Sequence, residues 1–482
     1  MKILYAASEA QPFAASGGLA DVAGSLPKAL VKEGHECAVV MPFYKNTIKE
    51  EDQAKFKFLT SFNIPVGWRT QYCGVFTYTA PEGVVYYFLD NEYYFRRDFG
   101  IYGYYDDAER FAYFSRAILE MLFHIDYKPD VINSNDWQCA LIPVYYQIYY
   151  KYNHELKDIR NVFTIHNIAY QGQYGLNLLE EILSIPRHMA NIVEYDGDAN
   201  FMKGAIEVAD KVTTVSPTYA TEILDPWFSH GLDRILASKE YKTCGFLNGI
   251  DIDMYNPATD KDIAANFSLK SKAGKKACKA ALLEEVGLLN GADAAKCDEP
   301  LIGITTRLVE HKGLDLIKEA FDRIVSQGFK VVVLGSGHPA YEHFFDEMKY
   351  RYPDKVAFVK GFIPALAKKI YAGVDMFLMP SKSEPCGLAQ MISLRYGTVP
   401  IVRATGGLKD SIVDFGDENG TGFTFQTYHP DDMFSAIERA YNAYQDKKAW
   451  NALINRAMKA DFSWSVSAKL YIGLYEELIS WN

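Results

Sequence analysis

The hydrophobic pattern of the chain alternates between short continuous apolar runs and longer segments whose apolar residues recur three and four positions apart. The runs KILYAAS and ECAVVMP predict strands buried on both faces. Leu19 to Lys32, stopped by Gly34, and DDAERFAYFSRAILEMLF predict helices. The Tyr/Phe-rich stretch between them, residues 55–105, predicts hairpins. DVINSN, NVFTIHN and KVTTVSP predict three more strands, the last leading through Ser216 and Pro217 into a helix start. A second series begins near Pro300, with strands LIGITTR, KVVVLGS, VAFVKG, MFLMPS and PIVRA and helices between them. This alternation predicts an α/β fold with parallel sheets, arranged as two doubly wound domains facing a cleft. Between the series, LNGIDIDMYNPATD has no helical period and contains Pro257, which sets the domains at 1–250 and 251–460. Residues 461–482 predict one amphipathic helix with Leu470, Leu474, Tyr475 and Leu478 on a single face, returning to the first domain.

Length supports this division, since 482 residues at roughly 150 per domain give two or three domains. Lys and Arg total 50 against 61 Asp and Glu, a net charge of −11. That balance argues against nucleic acid and anionic membranes as partners, and any anionic ligand must meet a local basic site. Seven cysteines, an odd number without a CxxC pair, argue against a zinc or dithiol site and for a reducing compartment. The opening MKILYAASEAQPF reads as a strand and not as a leader peptide, and the apolar stretch around ALIPVYYQIYY is too short to span a bilayer. A cytoplasmic protein is expected. The 34 tyrosines are the one compositional excess, assigned mainly to packing.

In doubly wound sheets, ligands bind beyond the carboxyl ends of the strands. Polar and glycine-rich positions gather there in both series. Ser16-Gly17-Gly18-Leu19 and Asp21 follow the first strand, and His166-Asn167 follow NVFTI. Arg307 and Lys312-Gly313 follow LIGITT, Glu384-Pro385-Cys386-Gly387 follow MFLMPS, and Thr405-Gly406-Gly407-Leu408 follow PIVRA. Gly17-Gly18 and Gly406-Gly407 either expose backbone N–H groups to a phosphate or simply make tight strand-to-helix turns. Arg307 and Lys312 are either a diphosphate clamp or two solvated cations. Glu384 suits sugar hydroxyls or transition-state charge, or complements a helix dipole. His166 suits a donor, an acid, a base or a core strand cap.

Other motifs carry no chemistry. The DxD of Asp251 and Asp253 sits in the interdomain connection without a partner acid, so no metal is expected. DFG occurs at Asp98 and at Asp414 without a kinase loop. GSGHPA lacks the third glycine of a dinucleotide fingerprint. The Lys-rich LKSKAGKKACKA reads as the solvated start of a helix.

Together the segments SGGLADVAGSLPKAL, NDW, TIHNIAYQG, VSPTYA, LNGID, TRLVEHKGLDL, PSKSEPCGL and VRATGGLKD resemble the ADP-glucose-using glycogen and starch synthases over nearly the whole chain. The resemblance implies two Rossmann-like domains in the GT-B arrangement. It implies retaining transfer of glucose from ADP-glucose to the non-reducing end of an α-1,4-glucan such as glycogen, starch or a maltooligosaccharide, with no cofactor or metal. In the family's pattern Arg307 and Lys312 hold the diphosphate with the two glycine loops. Glu384, Cys386, Gly387 and Leu388 line the glucose pocket, and Thr405 to Leu408 bind substrate or nucleotide. His166 and Asn167 approach from the other domain, and Asp21 and Asn248 close the site. Asp136 and Trp137 lie on the acceptor side, and Phe362 stacks on adenine. Three positions depart from the pattern: Ala15 replaces a common lysine, Phe362 a common tyrosine and Gln138 a frequent histidine. The missing lysine leaves open a weakly active relative that only binds nucleotide sugar or glucan, and use of UDP-glucose is a further alternative.

Overall fold

A computed structural model describes residues Met1–Trp481, so Asn482, the last position of the predicted terminal helix segment, lies outside the described residues. The chain divides into two compact units, Met1–Gly249 with Trp464–Asn482, and Ile250–Ser463.

Unit 1 is built on a nine-stranded sheet. Its strands are β1 (Lys2–Ala6), β2 (Glu36–Pro42), β3 (Lys57–Val66), β4 (Arg69–Thr79), β5 (Val85–Asp90), β6 (Val131–Asn135) and β7 (Arg160–Ile165). Three short strands, β8 (Gln173–Gly175), β9 (Glu194–Tyr195) and β10 (Asp198–Asn200), form a separate small sheet before β11 (Lys211–Thr214) and β12 (Thr243–Gly245). The large sheet runs β12-β11-β7-β6-β1-β2-β5-β4-β3, parallel except where β4 and β3 fold back as a meander from β5. The predicted hairpins are thus confined to residues 57–90, and the rest of the aromatic stretch is a short helix, Glu92–Phe95, and loops. Ser216 caps the following helix as its sequence implies, its Oγ accepting the Tyr219 N–H at 2.9 Å.

Tyrosine is chiefly a core residue here: Tyr5, Tyr44, Tyr86, Tyr94, Tyr113 and Tyr145 are all fully buried in unit 1. A buried polar chain crosses the sheet. The Tyr475 hydroxyl donates to Asn133 Oδ1 (2.7 Å), Asn133 Nδ2 donates to Thr164 Oγ1 (2.8 Å), and Thr164 meets Thr213 (2.7 Å). Tyr475 belongs to the helix Trp464–Ile479, whose buried side is Trp464, Ala468, Tyr471, Leu474, Tyr475 and Leu478. Leu470, predicted on that side, is exposed. The buried stripe is set by Tyr471 and Tyr475, and Leu470 sits one residue off it. The helix starts at Trp464 because Asp461–Ser463 still belong to unit 2, where Ile250 N–H donates to Phe462 O at 2.7 Å.

Unit 2 holds a six-stranded, all-parallel sheet. Its strands are β13 (Leu301–Thr305), β14 (Lys330–Gly335), β15 (Val356–Lys360), β16 (Met376–Met379), β17 (Val399–Arg403) and β18 (Phe423–Phe425), in the order β15-β14-β13-β16-β17-β18. The sixth strand has no counterpart in the sequence reading, because three residues leave no period to detect. The lysine-rich helix start is not solvated at its two key positions. Lys275 Nζ donates to Ala372 O, Tyr396 O and Thr398 Oγ1, and Lys279 Nζ donates to Asp375 Oδ2 at 2.7 Å and to Glu299 O. These amines tie helix Ala273–Glu285 to the sheet by satisfying acceptors from segments distant in the chain, which hydrophobic periodicity does not register. Asp251 Oδ1 accepts the N–H groups of Asp253 and Met254, a local turn cap. Among the described residues no three His, Cys, Asp or Glu side chains converge as a metal site.

Candidate active site

In unit 2 the strand order reverses between β13 and β16, the point at which a doubly wound sheet opens a crevice at its carboxyl edge. Arg307 and Lys312 leave β13 there, and Ser381 and Glu384 leave β16. Gly313, at φ 74°, turns the chain into helix Leu314–Ser326, and a Cβ on it would lie 2.0 Å from Pro380 O. Only glycine permits that approach. Lys312 is thereby set against Glu384, with Nζ 2.9 Å from Oε1 and 2.7 Å from Oε2, while Ser381 Oγ donates to Oε2 at 3.0 Å. Glu384 is buried, Lys312 half-buried and Arg307 exposed. His311 stands in the same group. Partial burial lowers its pKa, followed by the positive charge of Lys312, the pull of Glu384 in the other direction, and the charge of Arg307.

The second glycine pair makes the tight strand-to-helix turn, one of the two readings its sequence allows. The Gly407 N–H is spent on Glu384 O (3.1 Å) and Pro385 O (3.2 Å). A Cβ would fall 2.0 Å from Glu384 O at Gly406 and 2.1 Å from Cys386 O at Gly407. The pair packs backbone against backbone and holds the Glu384 loop in place. Leu408 is fully buried in a cluster with Leu394, Val402, Ile412 and Ala457, so its side chain is core and not ligand-facing. Cys386 and Thr405 are also buried. Gln390 Nε2 braces the loop by donating to Cys386 O and Gly387 O. Phe362 follows β15 on the same edge with its ring 88% exposed.

In unit 1 the corresponding edge carries the ends of β1, β6 and β7. Gly17 caps helix Gly18–Lys32, and added Cβ atoms at Gly17 and Gly18 meet nothing closer than 3.7 Å. The buried Glu9 carboxylate accepts the Ser16 N–H at 2.5 Å and anchors this loop. Burial raises the Glu9 pKa, against the hydrogen bonds from Ser16 and Gly17 that lower it. Asp21 is exposed in the first helical turn. Asp136 adopts φ 54°, a left-handed conformation that costs a non-glycine residue energy. It is thereby turned toward the β7 end, where Oδ1 accepts the N–H groups of His166 (2.7 Å) and Asn167 (3.3 Å). Burial lifts the Asp136 carboxyl to about 7 against those bonds, and burial pushes the His166 imidazole down to about 3. Trp137 is half-buried among Phe111, Tyr174 and Phe201, over Gly172, where a Cβ would lie 2.6 Å from its ring. Asn248 is buried with its Oδ1 lacking a hydrogen-bond partner among the described residues.

The structure therefore brings Lys312 and Glu384 into contact, sets Arg307 at the same crevice, and links Asp136 with His166 and Asn167. Sequence reasoning missed Glu9, Asn135, His311, Ser381 and Gln390. His311, Asn135 and Ser381 stand inside the motif segments TRLVEHKGLDL, NDW and PSKSEPCGL, whereas Glu9 and Gln390 stand outside them. Ser381, Gln390 and Asn135 gain their meaning from partners brought in by folding.

A parallel sheet with a cation–carboxylate cluster at its switch point in unit 2, and a second doubly wound sheet in unit 1, are the two Rossmann-like units of a GT-B-type glycosyltransferase, the class to which the following comparisons assign the chain. Residues 2–238 match the starch synthase catalytic domain family, and residues 292–459 match glycosyl transferases group 1. The chain is 45% identical to the glycogen synthase of Alkaliphilus metalliredigens, covering 99% of this chain and 100% of that protein. It is also 45% identical to that of Geobacillus thermodenitrificans, over 99% and 98%. The catalytic domain of starch synthase IV from Arabidopsis thaliana, bound to ADP and acarbose, superposes with a TM-score of 0.89 at 36% identity, over 99% of both chains. The chain belongs to the glycogen and starch synthase family.

Proposed function

We propose that this synthase takes glucose from ADP-glucose and adds it to the non-reducing end of an α-1,4-glucan with retention of configuration. The observation that carries this reading is the buried Glu384 carboxylate held by Lys312 and Ser381 beside Arg307. Arg307 supplies a fork for two phosphate oxygens, and Lys312 shares its three protons between Glu384 and the diphosphate. Glu384 lies where positive charge grows on the sugar as the bond from C1 to the phosphate oxygen breaks. The acceptor 4-hydroxyl forms the new bond to C1 on the face the phosphate leaves, and its proton passes to the departing phosphate oxygen. His166 contacts the transferred glucose, and Asn248 accepts a substrate hydroxyl. Phe362 stacks on adenine, a flat partner suited to so exposed a ring. The ADP in the related starch synthase IV structure supports the nucleotide, and its acarbose supports a glucan acceptor.

The test is ADP release from ADP-glucose with glycogen as primer, compared with UDP release from UDP-glucose. Glucan-dependent release that is faster with ADP-glucose is expected. Binding without release overturns the synthase reading for this chain, and faster release from UDP-glucose overturns the donor assignment.

A further inference from the structure

We propose that Asn135 is a positioning residue that fixes His166 in its neutral Nε2–H tautomer, so that Nδ1 is presented as an acceptor to a sugar hydroxyl. The inference rests on the reading of His166 as a glucose contact. It starts from two backbone carbonyls, which can only accept. Asn135 Nδ2 lies 2.9 Å from Ala6 O and 3.1 Å from Asn133 O. Turned the other way, the amide would set its oxygen against both carbonyl oxygens, so its orientation is fixed. Asn135 Oδ1 then faces His166 Nε2 at 2.9 Å. An amide oxygen has only lone pairs to offer, so that ring nitrogen carries the proton, and in a neutral imidazole Nδ1 carries none. Burial keeps the ring neutral, since it disfavours the imidazolium.

The geometry makes Asn135 a junction of three strand ends. It closes β6, bonds the last residue of β1 through Ala6 O, and reaches the residue after β7 through the ring of His166. It is fully buried, so no competing water sets its orientation. A purely architectural residue accounts for the two carbonyl bonds but has no need of the ring contact. The chemical consequence is specific: His166 receives a proton-bearing hydroxyl at Nδ1 and donates nothing there, so it orients a sugar and does not act as a general acid.

Protein labelled with ¹⁵N at histidine gives two-bond proton–nitrogen spectra in which each tautomer has its own pattern. The His166 signals are identified by their loss in His166→Gln. A pyrrole-type Nε2 and a pyridine-type Nδ1 are expected in the unmodified protein, and a protonated Nδ1 overturns the proposal. In Asn135→Ala the His166 signals are expected to become those of a tautomer mixture, with kcat for glucan elongation down about tenfold, one hydrogen bond's worth, and the donor KM unchanged. An unaltered tautomer or an unaltered kcat in that variant overturns the positioning role. The tautomer is read on the unmodified protein, so the proposal stays exposed to test even if the variant folds poorly. Absence of glucan synthesis by the unmodified protein, with the Nε2–H pattern intact, would remove the functional reading and leave the tautomer assignment standing.

Discussion

At the carboxyl edge of unit 2 the polar groups are charged and paired with one another, Lys312 to Glu384 with Arg307 and His311 close by. At the corresponding edge of unit 1 the strand ends are joined by hydrogen bonds, and its titratable groups are shifted toward neutrality: His166 downward, Asp136 and Glu9 upward. The glycine loops differ in the same way. Gly406 and Gly407 are clamped on the backbone of Glu384 and Cys386, whereas Gly18 has no atom within 4 Å of an added Cβ. Strong electrostatics thus belong to the unit 2 edge, which under the proposed function would meet a diphosphate, and hydrogen-bond geometry to the unit 1 edge, which would meet an uncharged sugar.

The largest expected effect breaks the charged half. Glu384→Gln removes the carboxylate charge and leaves Lys312 without its counter-ion, and kcat should fall by roughly 10²-fold or more. Near-normal turnover in that variant would erase the distinction between the two edges. Next comes the glycine contrast. Gly407→Ala drives a methyl to 2.1 Å from Cys386 O and should cost about 1–3 kcal/mol, visible as a lower Tm. Gly18→Ala should leave Tm unchanged, and equal losses in the two variants would contradict the comparison.

The neutral half makes a prediction about pH. The unfolded chain protonates His166 below about 6.5 while the folded ring stays neutral down to about 3, so this group alone makes stability fall as pH drops through that window. Folded Asp136 keeps its proton up to about 7, while the unfolded chain releases it above about 3.9, so this group alone makes stability fall as pH rises. Between about pH 4 and 6.5 the two contributions cancel. Relative to the unmodified protein, Asp136→Asn should therefore tilt stability upward with pH, and His166→Gln should tilt it downward. The changes in slope should be opposite and at most about 1.4 kcal/mol per pH unit, measured by denaturant unfolding. Parallel slopes in the two variants would refute the cancellation. The smallest effect concerns the exposed ring: Phe362→Ala should raise the ADP-glucose KM by about 2–10-fold with kcat intact. A fall in kcat instead would place the ring in the chemistry.

Much of this organisation is legible before folding is considered. The strands with strong apolar runs, a break near residue 250, and the placing of Arg307, Lys312, Glu384 and His166 after strands all follow from local pattern and motif. What stayed hidden is what one segment does for another. Asn135 looks like one more polar residue until Ala6, 129 positions earlier, supplies the carbonyl that orients it. Lys275 and Lys279 read as solvated because lysine usually is, and only the folded chain shows the acceptors they fill. Leu408 reads as a ligand contact because it adjoins a glycine pair, yet its side chain packs in the core and those glycines serve the backbone of the Glu384 loop.

The bond from Ile250 N–H to Phe462 O brings the two ends of unit 2 side by side. Unit 2 is in effect an insertion between Gly249 and Trp464, and the helix carrying Tyr475 lies beyond it in the chain. On the ribosome, the Asn133–Thr164–Thr213 chain therefore receives its Tyr475 hydroxyl only after all of unit 2 has been synthesised. Unit 2, whose residues are contiguous, has everything it needs to fold before unit 1 does.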